Sequence, residues 1–279
     1  MTTSPPTTHT PGIFYVASRI SNPNLPASRF TTWYNTVHVP DIIKTSGIRS
    51  ATRYTALSPE TAPKTYLALY PCELEFLSSQ EFLSDIPFAS DLLRVPDENG
   101  VEGDGSSFKV ADFDTRGFET LGEWSKEERK GGLRFDYSHY SHYSHYSHYS
   151  HYSHYSHYPT TLHHTYAKLT LSFPAGHSPY LATVLFDSTA TSTERLAIEC
   201  ALHGLVPSRT RLYKLNFVWG REEKAPSGGA EEKKPAGYLA LHDFSDEEFS
   251  RDAFATAQQA MKGAEVGGWE LSFAAGEVE

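Results

Sequence analysis

The chain has 279 residues, a formal net charge of -10 and a sequence isoelectric point near 5.8. That length buries a sizeable core in one or two domains. The acidic balance argues against nucleic acid or anionic membrane as main partners, because both need a basic surface. No apolar run reaches the length of a membrane-spanning helix. The two cysteines, Cys72 and Cys200, form no C-x-x-C pattern, so a disulfide framework and a zinc ribbon are disfavoured and a cytoplasmic location is expected.

Residues 1–12 are rich in Thr and Pro, carry no apolar stretch, and are expected to be a disordered tail, not a secretory signal. Residues 13–20 form a β-branched and aromatic run closed by Ser-Asn-Pro-Asn, which predicts a strand and a turn. A helix is expected from about Pro26, with Phe30, Trp33, Tyr34 and Val37 as its apolar stripe. Pro40 disfavours helical geometry at Val39, so a kink or stop is predicted there, followed by a short helical turn over 41–45 that ends at Gly47. Residues 48–57 and 64–71 read as paired strands, 73–93 as a second helix interrupted near Pro87, and 96–107 as a loop. Residues 108–121 read as a last strand. The order is βαββαβ, a split βαβ of ferredoxin-like type.

The pattern returns further on. Tyr66-Leu67-Ala68-Leu69-Tyr70 recurs as Tyr238-Leu239-Ala240-Leu241-His242, each copy preceded by an Arg/Tyr-rich strand and followed by an acidic turn. Strands are expected at 180–187, 209–219, 238–244 and 268–274, with helices at 191–205 and 246–261; the apolar run 165–173 suggests an added edge strand. The expected fold is therefore α+β: two tandem ferredoxin-like modules, 13–122 and 165–279, joined by a linker over 123–164. The two halves are expected to pack sheet against sheet through 66–70 and 238–242, with no second chain needed to close the structure.

That linker holds Ser-His-Tyr seven times in succession, and with it half of the chain's 14 histidines. A disordered linker is one reading. Loose metal binding by His139, His142, His145, His148, His151, His154 and His157 is a second, and self-association a third. No fixed metal site is expected, because successive histidines in a threefold polyproline helix stand about 9 Å apart.

The chemistry is expected in the first half. His38 follows Tyr34 by four residues, so the two share a helix face. It lies where Pro40 interrupts the helix, and imidazole suits acid/base work near neutrality; a purely structural hydrogen bond at the break is the alternative. On the strands, Arg53 and Tyr54 point to opposite faces, so one of them can share a pocket with His38. If Leu67 and Leu69 pack on the helices, Tyr66, Ala68 and Tyr70 face away. Asp112, Asp114 and Arg116 share a face, and Asp112 is placed to orient an imidazole or to pair with Arg53 or another ion. The second half has no Trp-Tyr motif; His203, in a turn, is its nearest substitute.

The motif Trp-Tyr-x-x-x-His-x-Pro-Asp over 33–41, followed by Gly-Ile-Arg-Ser-Ala-Thr-Arg-Tyr over 47–54, resembles the EthD-like group of the dimeric α/β-barrel superfamily. The resemblance covers the first half and reaches the second only through topology and residues 238–242. It implies two ferredoxin-like sheets forming one barrel within the chain, and a cytosolic enzyme without a tightly held cofactor. The substrate would be a hydrophobic, aromatic or polyketide-like compound, and the reaction decarboxylation, cyclisation, isomerisation or cofactor-free oxygenation. His38 would be the acid/base group and Tyr34 its catalytic neighbour; Trp33, Arg53, Tyr66, Tyr70 and Asp112 would line the substrate. The chain would act as a monomeric pseudo-dimer or a higher homo-oligomer. A catalytically silent binding or assembly protein is the competing class. Haem binding is a third, with no diagnostic ligand beyond one helix-end histidine.

Overall fold

The computed structural model describes residues 9–97, 99–125, 177–187, 205–219, 235–247, 249–261 and 264–276. Eight strands form one closed antiparallel barrel. They are β1 (Pro11–Ile20), β2 (Ser50–Ala56), β3 (Tyr66–Glu73), β4 (Ala111–Ser125), β5 (Tyr180–Phe186), β6 (Arg209–Trp219), β7 (Tyr238–Phe244) and β8 (Glu265–Gly276). Around the barrel they run β1-β3-β2-β8-β5-β7-β6-β4. The first four strands thus lie side by side in the order β4-β1-β3-β2, and the last four in the order β8-β5-β7-β6. The two groups meet edge to edge at β2–β8 and β4–β6.

Both seams carry register shifts, at Arg53/Tyr54 on one side and at Gly117/Phe118 and Thr120/Gly122 on the other, whereas the six pairings within the groups run without one. An extra residue on one strand bends it and increases its twist, which is how a twisted sheet turns a corner and closes on itself. Gly117 sits at such a corner, where a Cβ would run into the ring of Phe217.

Alternation divides the residues into three cores. Ile13, Tyr15, Tyr54, Leu67, Leu69, Leu239, Leu241 and Trp269 fill the barrel. This reverses one expectation: Leu67 and Leu69 face the barrel interior, while Tyr66, Ala68 and Tyr70 pack on the helices. Every residue of this strand except Glu73 is apolar or aromatic, so alternation alone does not say which set goes inside. The outer face of the first four strands carries the second core, with Phe30, Trp33, Tyr34 and Ile42 from the helical segment. The outer face of the last four carries the third, covered by Phe254, Ala257 and Met261. The barrel interior also contains a buried ion cluster. Asp243 accepts from Arg209 at 2.9 Å and from Arg211 at 3.0 Å, and its carboxyl is held below the usual range by these guanidiniums despite burial.

The helices depart from expectation. α1 (Ala27–Trp33) starts after Pro26, then passes into a π-turn (Tyr34–His38) and α2 (Val39–Ile43). Val39 stays helical, with φ -61° and ψ -47°, against the predicted break at Pro40. Its N–H bonds to the Tyr34 carbonyl five residues back, so the widened turn absorbs the proline's missing donor and steric demand within a continuous helix. The expected second helix over 73–93 is instead three short turns, Leu74–Ser78, Glu81–Asp85 and Asp91–Leu93. Phe108 lies in a single helical turn, α3 (Ser107–Val110), just ahead of β4. The helix expected over 246–261 begins later, as α4 (Arg251–Ala260), capped by the Ser250 hydroxyl. The predicted helix over 191–205 falls almost wholly outside the described residues, as do the edge strand over 165–173, the Ser-His-Tyr repeat and His203. Among the described residues no helix is long and apolar enough to cross a membrane.

Candidate functional site

The π-turn decides the geometry of the site. In a regular helix, residues four apart share a face; in a π-turn, residues five apart come into register. Trp33 and His38 are five apart, and their rings stack with centroids 4.8 Å apart and planes 19° from parallel. Tyr34 keeps its edge contact with the same imidazole, at 5.1 Å and 90°. Phe88 packs on the imidazole as well, at 5.6 Å. His38 is buried, at 5% exposure. It hydrogen-bonds the Pro87 backbone, and its Nδ1 has no partner. Burial, reinforced by the nearby charge of Arg53, lowers its pKa to about 3. His38 is therefore a neutral imidazole at physiological pH, able to accept a proton or a hydrogen bond and not to act as an imidazolium.

Arg53 is the second unusual residue. It is 1% exposed, yet among the described residues no carboxylate contacts it. Its guanidinium lies over the Tyr34 ring, 3.9 Å from the centroid, and 5.8 Å from the Tyr66 centroid. Its Nη1 donates to the Asn35 side-chain oxygen, while Nε and Nη2 have no partner. Burial lowers its pKa, opposed by the three tyrosines Tyr34, Tyr70 and Tyr66. The backbone shift at the seam beside β8 falls at this residue, and the Ser272 hydroxyl holds the Arg53 carbonyl at 3.1 Å.

Tyr34 and Tyr70 form the third part. The Tyr70 hydroxyl donates to the Tyr34 oxygen at 3.3 Å in a buried contact. Burial raises both phenol pKa values; Arg53 pulls each one back down.

These groups border a cavity of about 970 Å³ between the outer face of the first four strands and the helical segments. Tyr34, His38 and Tyr70 lie on its wall, and Phe14, Phe82 and Phe88 supply apolar surface. The second half of the chain completes it: Val218, Trp219 and Pro235 line the far side, and Trp219 packs on Phe82 with centroids 5.1 Å apart. Phe108 and Val218 are exposed at 39% and 46%, which places apolar side chains at the rim. A largely aromatic chamber with a few converging polar tips suits a flat apolar ligand.

Of the residues singled out from the sequence, Tyr34, His38 and Tyr70 line the cavity, whereas Trp33, Arg53 and Tyr66, expected to line the substrate, pack behind them and do not reach its wall. Asp112 does not join them. It borders the cavity, but its carboxylate pairs with Arg19 at 2.9 Å, neither with Arg53 nor with His38. The reason is strand register: Asp112 lies opposite Arg19, and the next residue, Phe113, takes the helix-facing position beside Phe108. Asp114 and Arg116 pair with each other at 2.6 Å. Three residues escaped the sequence reading. Asn35 anchors Arg53, Phe88 packs on His38, and Trp219 closes the cavity from the second half. Asn35 lies inside the recognised motif, so its position was a usable signal; Trp219 reaches the site only because the barrel closes. Among the described residues no cluster of three His, Cys, Asp or Glu is placed to hold a metal ion.

The fold and site thus define a closed antiparallel eight-stranded barrel with an aromatic cavity on its outer flank. No family model matches the chain. A similar curated protein is the Core atranone cluster (CAC) protein 1 of Stachybotrys chlorohalonatus, 27% identical over 124 residues, which is 44% of this chain and 49% of that protein. The chain therefore spans about half the length of the curated relative it matches. Among solved structures, a chlorite dismutase variant from Candidatus Nitrospira defluvii aligns with 96% of this chain and 93% of its own, at 10% identity and a TM-score of 0.39.

Proposed function

We propose that this chain is a small-molecule enzyme of the EthD-like barrel type, two ferredoxin-like halves in one polypeptide, acting on a hydrophobic aromatic or polyketide-like compound. The observation that carries the proposal is the convergence of His38, Tyr34 and Tyr70 on an aromatic cavity of about 970 Å³. The repeated strand order in the two halves supports the tandem arrangement. The name of the similar protein, which assigns it to the atranone cluster, is in keeping with a small-molecule role.

In this reading His38 accepts a proton from the bound compound. The Pro87 backbone bonds the ring and the Nδ1 has no partner among the described residues, the state a base needs before reaction. The low pKa makes it a weak base before a ligand binds. A negative charge developing on the ligand would raise the imidazole's proton affinity at the moment of transfer. Tyr34 and Tyr70 steady the oxygen on which that charge appears. Cyclisation, isomerisation and cofactor-free oxygenation of an activated ring all begin from such an intermediate, and decarboxylation reaches it by loss of CO2. No tightly held cofactor is invoked.

The test is His38→Ala. Turnover should fall by about 10²–10⁴-fold while affinity for flat aromatic compounds, followed by quenching of Trp33 and Trp219 fluorescence, is broadly kept. A second reading is favoured by the stacking of His38 on Trp33 and its bond to Pro87: a silent binding protein in which His38 is structural. Then His38→Ala costs about 1–3 kcal/mol of stability and ligand binding falls with it.

A further inference from the structure

We infer that the cavity stabilises the ionised form of an acidic aromatic ligand, the phenolate or enolate left once its proton has gone to His38, whose oxygen is held by the hydroxyls of Tyr34 and Tyr70 and whose charge is balanced by Arg53 behind them. This rests on the proposed small-molecule reading and names the charge state of its ligand.

Three observations carry it. Among the described residues Arg53 is buried without any carboxylate, and two of its nitrogens, Nε and Nη2, lack acceptors. A buried arginine is ordinarily paired, because an uncompensated charge away from water is costly. Its present neighbours, two tyrosine faces and one amide oxygen, are neutral.

The polar edge of the cavity is a donor edge. Tyr70 gives its proton to Tyr34, and the proton of Tyr34 itself meets no acceptor among the described residues. An oxyanion in the cavity would take that proton as a hydrogen bond and could draw the Tyr70 hydroxyl to itself. Phenols buried beside an oxyanion are strong donors in a water-poor site.

The carboxylates at the cavity are already committed. Asp112 is bound to Arg19 and Asp114 to Arg116, so neither neutralises Arg53. His38 is neutral, so Arg53, behind Tyr34 and Tyr70, is the charge that an oxyanion at their hydroxyls would meet. Arg53 does not line the cavity; it acts through Tyr34 and Tyr70 and is a positioning residue.

The experiment uses para-nitrophenol, whose ionised and neutral forms absorb at different wavelengths, with the full-length protein. Bound probe should ionise at a pH lower than free probe by about one unit or more, the effect expected of one unscreened charge several ångströms away. Arg53→Met, which keeps the volume and removes the charge, should abolish the shift. Arg53→Lys should retain most of it. Tyr34→Phe and Tyr70→Phe should each reduce it, which locates the probe. Should Arg53→Met fail to fold, the lysine and phenylalanine variants decide alone. Bound probe that ionises no more easily than free probe in the native protein, or a shift that survives Arg53→Met or both tyrosine changes, overturns this inference and leaves the enzyme reading standing. Failure of either form to bind overturns both.

Discussion

The two halves of the barrel share a strand order and differ in what they place on their outer faces. At matching positions, Phe14 and Tyr70 in the first half become Ala182 and His242 in the second, since each pair is joined across β1–β3 or β5–β7. Arg53, opposite Ala68, becomes Leu212, opposite Ala240. In the second half His242 is fully buried and meets the Thr210 hydroxyl at 3.0 Å. Ala182, Val184, Ala240, Phe254 and Met261 pack there as a continuous apolar layer. In the first half, larger rings hold the helical segments off the sheet and a chamber is left. Among the described residues, one strand arrangement thus carries either a packed apolar layer or a cavity wall, and a few side chains at fixed register choose between them.

The strongest test of the comparison concerns what the halves have in common. Asp243 neutralises Arg209 and Arg211 inside the barrel, at 1% exposure. Asp243→Asn should cost about 3–5 kcal/mol, because a buried carboxylate shared by two guanidiniums is lost. If the halves share one interior, denaturant melts read by Trp33 on one flank and by Trp269 in the barrel should shift together; a split into two transitions would break the picture.

The second test contrasts the flanks directly. Phe254 is 3% exposed in the filled face, and Phe254→Ala should cost about 3–5 kcal/mol by opening a void. Urea midpoints measure it. A loss below about 1 kcal/mol would mean that this face is not close-packed.

Acid should single out the first half. The native chain refuses a proton at His38 down to about pH 3, whereas the unfolded chain accepts one near 6.5. Stability should therefore fall as pH drops from about 6.5 towards 3, on the order of a few kcal/mol, and be unaffected by this group above 6.5. His38→Phe should flatten that limb of the stability–pH curve. An unchanged slope would place the proton uptake elsewhere.

The smallest effect on stability is expected from Phe88→Ala. Phe88 is half-buried and already faces the cavity, so its loss should cost only about 1–2 kcal/mol. The same change should weaken aromatic ligand binding measurably by titration calorimetry. A large stability loss with unaltered affinity would show that the two flanks are packed alike.

Local pattern was enough for much of this molecule. Strands β6 and β7 lie where the sequence places them, at Arg209–Trp219 and Tyr238–Phe244, because runs rich in β-branched, aromatic and leucine residues between turn signals have few alternatives. The helical stripe of Phe30, Trp33 and Tyr34 is buried as its spacing requires. The same spacing brought His38 beside Tyr34, so the heart of the candidate site was legible from nine residues of sequence. Tertiary structure decided the rest. Tyr66–Tyr70 is apolar on both faces, so only the barrel shows that the leucines go in and the tyrosines go out. A proline predicts a break, but the packed helix accommodates it with a wider turn, and that turn lays Trp33 over His38. Register across β1–β4 draws Asp112 to Arg19, and closure at β4–β6 brings Trp219 to the cavity from more than a hundred residues away. Helix and strand periodicities are local properties of the chain; which face turns inward, which charge finds a partner and which distant ring closes a wall depend on contacts that form only when the barrel does.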